Sequence, residues 1–511
     1  MDVAAFARIR DEAMNRSQVM DTVFWLTDRY GPRLTGSPEF EEAADWTIRR
    51  LESWGVRNVT RERFSSGYGW SVVRFHTSMV EPRFASMIAV PRAWSPGLGD
   101  RTVVADVVRP SIVSAADADR YRGKLRGKIV LTQPSRIVRM LEYGDGEVVR
   151  YDDEGGKWRA EAMTPEPPRV VAGRGAGAGT GGRGRGEAPF DVMAFYKQEG
   201  VVALFDRGAS GDVVRGGSNL SWAFQRVDGG TIFTDDGVPS RTRPDASLPQ
   251  VTLAVEHYNR LVRLLDHQVP VKVELQLDVR FVEESEARPN SFNIVGEIPG
   301  REQPGEVVMI GAHFDSFHGG TGATDNAAGV AAAMEVLRIF QATGLRPRRT
   351  VRIGLWGNEE FGLVGSGEYV RRHLGTAARP LPEHGRLSVY FNLDNGTGPI
   401  RGVWSQGNDA ARQVFQEWAK PLEDLGVDLL SPRAVGSTDH VPFDAAGIPA
   451  FQFVQERYEY YSRTHHSTMD VFDRVQPNDM KQIAAVAAAF VWQAANRREL
   501  MPRIASAPEA R

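Results

Sequence analysis

From residue 290 onward, apolar runs of strand length alternate with helix-length segments, and no other feature constrains the fold of this chain as tightly. The runs are "NIVGEI" (293–298), "EVVMIGA" (306–312), "TVRIGLW" (350–356), "LSVYFNL" (387–393) and "IPAFQFV" (448–454). Among them lie "AAGVAAAMEVLRIFQATG", "SGEYVRRHLG", "NDAARQVFQEWAKPLEDLG" and "NDMKQIAAVAAAFVWQAANRR", which read as helices. Near-continuous apolar strands alternating with helices imply an α/β fold with a largely parallel sheet covered on both faces. In open sheets of that kind, ligands bind beyond the carboxyl ends of the strands.

Function is therefore expected in the residues just past the end of each strand. "EVVMIGA" leads into His313 and Asp315, with Asp325 at the head of the next helix. "TVRIGLW" is followed by Glu359 and Glu360, "LSVYFNL" by Asp394, and "IPAFQFV", through a loop, by His465 and His466. Each has an ordinary reading when taken alone: a turn residue or cap for a lone Asp, a solvated helix start for paired glutamates, surface groups for paired histidines. Four strands delivering such groups to one sheet edge point instead to a metal site. The chain has no cysteine, so a metal must be held by His, Asp or Glu. Two histidines and three carboxylates exceed the needs of one tetrahedral zinc. Two metals about 3.5–4 Å apart, sharing a bridging carboxylate, would use all five. Asp325, on a tight turn between the others, is the natural bridge. Glu359 is left beside the metals as a general base acting on water.

The rest of the chain is organised differently. "SPEFEEAADWTIRRLESWGV" (37–56) predicts a helix with Ser37 as N-cap, Pro38 at the first position and Gly55 as the stop. Between about residues 83 and 267, short β-branched runs such as "RTVVADVVRP", "GKIVLTQPS" and "VVALFDRG" suggest a small β-rich domain. The expected division is 1–82 and 268–500 for the α/β part, 83–267 for the insert, and 501–511 for a flexible tail, with fraying from Glu499. "VVAGRGAGAGTGGRGRG" (170–186) contains a GxGxxG-like string. It lacks the preceding strand and following helix a dinucleotide site needs, so it reads as a solvated loop.

Charge narrows the function classes. The 62 basic and 65 acidic residues leave a net charge of -3, which gives no support for nucleic-acid binding. The apolar stretch "IAAVAAAFVW" (483–492) is too short to span a bilayer.

Taken in order, "GAHFDS…GATDNAAGVAA", "WGNEEFGLVGS", "NLDNG", "STDHVPFDAAGIPAF" and "HHSTMDVFD" resemble the co-catalytic zinc aminopeptidase family (peptidase family twenty-eight), on its carboxypeptidase Q-like branch. "RYGPRLTGSPEFEEAADWTIRRLESWGV" (29–56) resembles that family's opening segment, and the β-rich region resembles the protease-associated domain many members carry as an insert. The resemblance implies a zinc exopeptidase fold, a mixed sheet flanked by helices, and a metallopeptidase acting on peptides or dipeptides. It implies two zinc ions: one on His313 and Asp394, one on Glu360 and His466, with Asp325 bridging. His466 is preferred to His465 because the family's last motif places an Asp four residues after its ligand, here Asp470. Asp315 would hydrogen-bond the far nitrogen of His313, and Glu359 would take a proton from a metal-bridging water and pass it to the leaving amine. His440 and Tyr458 are the first candidate substrate contacts, with Tyr460, Tyr461 and His465 as alternatives; His318 reads as a polar turn residue. In relatives the bridging Asp is commonly followed by a cis peptide, which makes Asp325–Asn326 the bond to inspect. Most relatives are secreted or periplasmic, so an exported enzyme lacking its signal in this sequence is expected ahead of a cytoplasmic one; a homodimer is compatible. The alternatives are a glutaminyl cyclase-like acyltransferase and a receptor-like member without catalysis.

Overall fold

Two alanine-rich helices, Ala328–Thr343 and Pro477–Asn496, are buried along most of their length, because small side chains let them pack closely against each other and against the strands. They lie on one face of an eight-stranded sheet in the computed structural model, which describes residues 2–138, 162–164, 190–208, 226–234 and 239–504. The Gly/Arg-rich stretch 170–186 falls outside the described residues. Across the sheet the strands run Arg57–Phe64, Ser291–Ile298, Arg349–Trp356, Gln303–His313, Leu387–Asn392, Ala450–Gln455, Ile400–Trp404 and Leu429–Ser431.

The four strands from Arg349–Trp356 to Ala450–Gln455 are mutually parallel. Antiparallel pairs join this core to Ser291–Ile298 on one side and to Ile400–Trp404 on the other. The chain leaves Gln303–His313 for the neighbour on one side, then crosses to Leu387–Asn392 on the other. The crevice of a parallel sheet opens at such a reversal, and His313 is the last residue of the strand there. All five runs expected as strands are strands, in a mixed sheet with helices on its faces. The last two strands of the sheet, Ile400–Trp404 and the edge strand Leu429–Ser431, are too short to show periodicity and escape a reading of the sequence.

Helix Pro38–Ser53 is capped as its sequence predicts. Ser37 Oγ accepts the Phe40 N–H at 3.1 Å, Pro38 occupies the first turn, and Gly55 turns the chain out with φ +85°. Helix Val3–Asn15 packs across both alanine-rich helices. Their meeting point is a buried ion cluster: Arg338 donates to Glu335 at 2.7 and 2.9 Å and to Glu12 at 2.7 Å. Glu335 also accepts from Ser17 Oγ and the Gln18 N–H, so its lone pairs are well used.

The second sheet draws its strands from residues 69–282, beyond the expected 83–267 at both ends. Long strands Gly69–Glu81 and Lys272–Val282 pair antiparallel along almost their whole length. Four shorter strands, Thr102–Val108, Ile129–Leu131, Ala203–Asp206 and Gln250–Leu253, run parallel, with helices Val192–Glu199 and Val255–Asp266 in the connections. The two edge strands, Ala85–Ser86 and Ala89–Pro91, are separated only by Met87 and Ile88, so the sheet curls back towards itself. At the other terminus, residues 501–503 are docked rather than frayed: the Met501 N–H bonds Ser388 Oγ, and Arg503 donates to the carbonyls of His384 and Leu387.

The ion cluster sets a stability test. Arg338→Met leaves Glu335 buried without its cation, while Glu12 keeps Arg16 at 2.6 Å; an unpaired buried charge of this kind costs about 3–5 kcal/mol. The denaturation midpoint should fall accordingly, and adding Glu335→Gln to the same chain should recover part of the loss.

Candidate metal centre

His313 ends its strand with a fully buried imidazole. Its Nδ1 lies 2.9 Å from the main-chain carbonyl of Asp315, and its Nε2 lies 3.0 Å from Asp325 Oδ1 and 3.8 Å from Asp394 Oδ1. The other oxygen of Asp325, Oδ2, faces 3.4 Å from His466 Nε2 and 3.8 Å from His465 Nε2. His466 Nε2 in turn lies 3.0 Å from Glu360 Oε2. Two donor clusters thus share one carboxylate: His313, Asp325 and Asp394 on one side, Asp325 with His465 and His466 on the other. Within each, the ligating atoms lie within 4.8 Å of one another.

Asp325 reaches both clusters because the chain leaves helical geometry at that point. Asp325 has φ -132° and ψ 79°, Asn326 has φ -141°, the peptide between them is cis, and the regular helix begins only at Ala328. Asn326 closes the break: its Nδ2 donates to the Leu393 carbonyl and its Oδ1 accepts the Gly329 N–H. Asp470 fixes the residues before it, accepting from Thr324 N–H and Oγ1 at 2.6 and 2.7 Å and from the Asp325 N–H at 3.2 Å.

The connection from His313 to Asp325 is clamped from below by Arg33. Its buried guanidinium donates to the carbonyls of Phe314, Leu26, Thr321 and Gly322. Burial lowers its pKa to about 10, opposed by the charges of Asp470, Asp315 and Asp325, so it remains a cation beneath the acidic cluster. Gly322, at φ +67°, passes so close to Ser316 that a Cβ there would lie 2.3 Å from the serine Cβ, leaving room for glycine alone.

Asp315 does not play the part expected of its carboxylate. Oδ1 is 3.9 Å from His313 Nδ1, and the main-chain carbonyl of the same residue takes that place. The carboxylate instead accepts Thr35 Oγ1 at 2.7 Å and the Glu359 N–H at 3.1 Å, so Asp315 ties the opening segment of the chain to the loop bearing both glutamates. His440 and Tyr458 do not line the cleft. The His440 ring is fully buried, 2.9 Å from Gln406 Nε2 and 3.0 Å from the Val435 carbonyl, beneath the cleft loop. Tyr458 donates to Asp479 in a neighbouring cavity. Tyr460 and Tyr461 face the cleft in its place. His318 turns away, with Nε2 2.6 Å from the Pro91 carbonyl and its ring edge-on to Trp70.

The electrostatics fit a cation. Burial, reinforced by Asp325, pushes Glu360 up to about 7 and Asp394 up to about 6. Burial, reinforced by Asp394 and Asp439, raises Glu359 well above the usual carboxylate range. Buried carboxylates this close cannot all ionise against imidazoles alone. Asp325 Oδ2 is itself buried and accepts no hydrogen bond among the described residues, an acceptor for which a bound cation would account. The set contains only imidazole nitrogen and carboxylate oxygen, ligands that zinc accepts. It opens on a cleft of about 690 Å³ whose far wall includes Trp404, Arg433, Arg457 and Tyr461.

Residues 293–491 match the family model described as Peptidase family M28. Carboxypeptidase Q of Rattus norvegicus is 26% identical over 479 residues, covering 94% of this chain and 85% of its own length. The chain is thus similar to Peptidase family M28 over residues 293–491. It is accordingly a zinc metallopeptidase, and an exopeptidase. Two solved structures share the fold. The M28 peptidase precursor of Shewanella amazonensis has a TM-score of 0.64 at 24% identity, covering 99% of this chain and all of that one. A zinc aminopeptidase of Bacillus subtilis has a TM-score of 0.55 at 17% identity, covering 94% and 95%.

Arg33, Thr35 and Asp470 are parts of this site that the sequence motifs do not single out. Asp470 enters the sequence reading only to set the histidine register. The polar cluster "PRLTGS" in the opening segment is a signal for the other two, but nothing local to it says that it meets residues 314–322. Asp470→Ala should weaken metal binding about 10–100-fold, as loss of a group orienting a ligand does. Competition with a chelating dye measures this, with an unchanged circular dichroism spectrum as the check on folding.

Proposed function

We propose that the chain is a di-zinc exopeptidase hydrolysing the terminal bond of short peptides, with dipeptides as the leading substrates. His313 and Asp394 would hold one zinc, Glu360 and His466 the other, and Asp325 both. The observation that carries this reading is the two-sided placement of Asp325, with Oδ1 towards His313 and Oδ2 towards His466. Bound zinc supplies Lewis acidity, polarising the scissile carbonyl and making water acidic enough to be deprotonated near neutral pH.

This chain's own residues do the rest. Glu359 sits at the cleft wall, with its main-chain N–H held by Asp315 and its side chain 9% exposed. Its raised pKa suits a base that must keep a proton between two steps. Its carboxylate takes the proton as the water oxygen adds to the carbonyl carbon. It gives the proton to the amide nitrogen as the C–N bond breaks, leaving a free amine and a carboxylate. His466 is preferred to His465 as the ligand because it lies nearer to Asp325 and directly against Glu360. A cleft of about 690 Å³ is in the range for a ligand of dipeptide to tripeptide size. Alignment of Carboxypeptidase Q along nearly the whole chain supports that branch over an aminopeptidase that acts on longer peptides. On the same reading, the curled second sheet is the protease-associated domain.

Glu359→Gln should lower kcat by about 10²–10⁴-fold while two zinc ions per chain remain bound by elemental analysis. Wild-type chain should lose activity on chelation and regain it with zinc. It should cleave unblocked dipeptides in preference to N- or C-blocked ones. Turnover that survives both chelation and Glu359→Gln would overturn the reading; release of ammonia from N-terminal glutamine peptides by a chain binding one zinc would favour an acyltransferase.

A further inference from the structure

The two halves of the centre are anchored by different parts of the molecule. His313 and Asp394 stand at or next to the ends of central strands, and their supports belong to the main sheet and its connections: the Asp315 carbonyl for His313, Gln452 for the Asp394 carbonyl. Glu360 and His466 lie on loops, and both loops are gripped by residues from the stretch between strands Ala203–Asp206 and Gln250–Leu253 of the second sheet.

The grip on His466 is a short antiparallel pairing. Phe233 bridges Ser467, the Thr468 N–H donates to the Ile232 carbonyl at 2.9 Å, and the Ile232 N–H donates back to Thr468 Oγ1 at 3.1 Å. Thr234 then donates twice to the His466 carbonyl, from its N–H at 2.8 Å and its hydroxyl at 3.1 Å. His466 holds a left-handed backbone, φ +54°, which a histidine keeps only where its surroundings fix it. Its ring packs against two others, His465 stacked at 3.7 Å and Phe317 tilted at 4.2 Å between centroids. Gly320 runs beneath the turn so closely that a Cβ would lie 2.5 Å from the Asp470 carbonyl oxygen. Those rings hold the imidazole, and the second-sheet segment holds the backbone that carries it.

The grip on Glu360 is Arg241. Its guanidinium lies over the edge-to-face pair of Trp94 and Phe361, 4.8 and 5.0 Å from their centroids, and Nη1 donates to Asn358 Oδ1 at 2.7 Å. Asn358 also has a left-handed backbone, φ +61°, directly before the two glutamates. We propose that Thr234 and Arg241 are positioning residues by which the second-sheet part of the chain holds the Glu360–His466 half of the centre, leaving the His313–Asp394 half to the main sheet.

The proposal rests on the two-zinc reading, and its test separates the two. Zinc binding is measured by competition with a chelating dye on the full-length chain, wild type beside Thr234→Pro, which removes both donors to His466, and Arg241→Met, which keeps the bulk against the rings. Wild type should bind two equivalents. Each variant should keep one equivalent at wild-type affinity and bind the other about 10–100-fold more weakly, with the far-ultraviolet spectrum unchanged. If proline at 234 prevents folding, Thr234→Val, which removes only the hydroxyl donor, should weaken the same equivalent several-fold. Wild-type affinity for both equivalents in the folded variants, or equal weakening of both, overturns the proposal. A single equivalent in the wild-type chain overturns the two-zinc reading instead.

Discussion

Asp325 has to present one carboxylate oxygen to His313 and the other towards His466 while almost wholly enclosed, and much of the molecule is arranged around that demand. Helical geometry could not meet it, so the chain stays non-helical through Asp325 and Asn326 and only then enters the alanine-rich helix. The N–H groups this leaves over are met by Asp470 and by the Asn326 side chain. The carbonyls on the approach are met by Arg33, whose several fixed donors suit a loop that turns around one point. Burying the acidic cluster without positive charge would be costly, and the cation at Arg33, the imidazoles and the proposed zinc ions share that compensation.

The same demand explains why the alanine-rich helices are so deeply buried. The helix that starts beside Asp325 passes between the sheet and the N-terminal helices, where only small side chains allow close approach. The charged residues among its buried positions, Glu335 and Arg338, satisfy each other and Glu12. That cluster ties the first helix of the chain to the helix that follows Asp325. Opening segment and site are joined a second time at Thr35 and Asp315.

Much of the fold and the convergence of the site are legible in the sequence, for a local reason. A buried parallel strand must be apolar throughout, so its end is marked by the first polar residue, and His313, Glu359 and Asp394 lie at or just past such ends. Less is legible where partners are far apart in the chain. Proximity in sequence pairs the Asp315 carboxylate with the nearest histidine, but its bonds go to Thr35 and to the Glu359 N–H. His440 and Tyr458 have suitable chemistry in suitable motifs, yet one is packed beneath the cleft loop and the other faces a different cavity. The second sheet exceeds its sequence-based bounds because its two longest strands, Gly69–Glu81 and Lys272–Val282, lie on either side of the region whose texture marks it.

By itself the sequence determined the class of fold, the imidazoles and carboxylates that are candidate donors and the edge of the sheet at which they gather, because strand periodicity and residue type are local properties. Only the tertiary structure decided which oxygen of Asp325 faces which histidine, that Arg33 and Asp470 hold the connecting loop, and that the His466 loop is braced from the second sheet. Those depend on side-chain direction and on contacts between segments hundreds of residues apart, which no local pattern records.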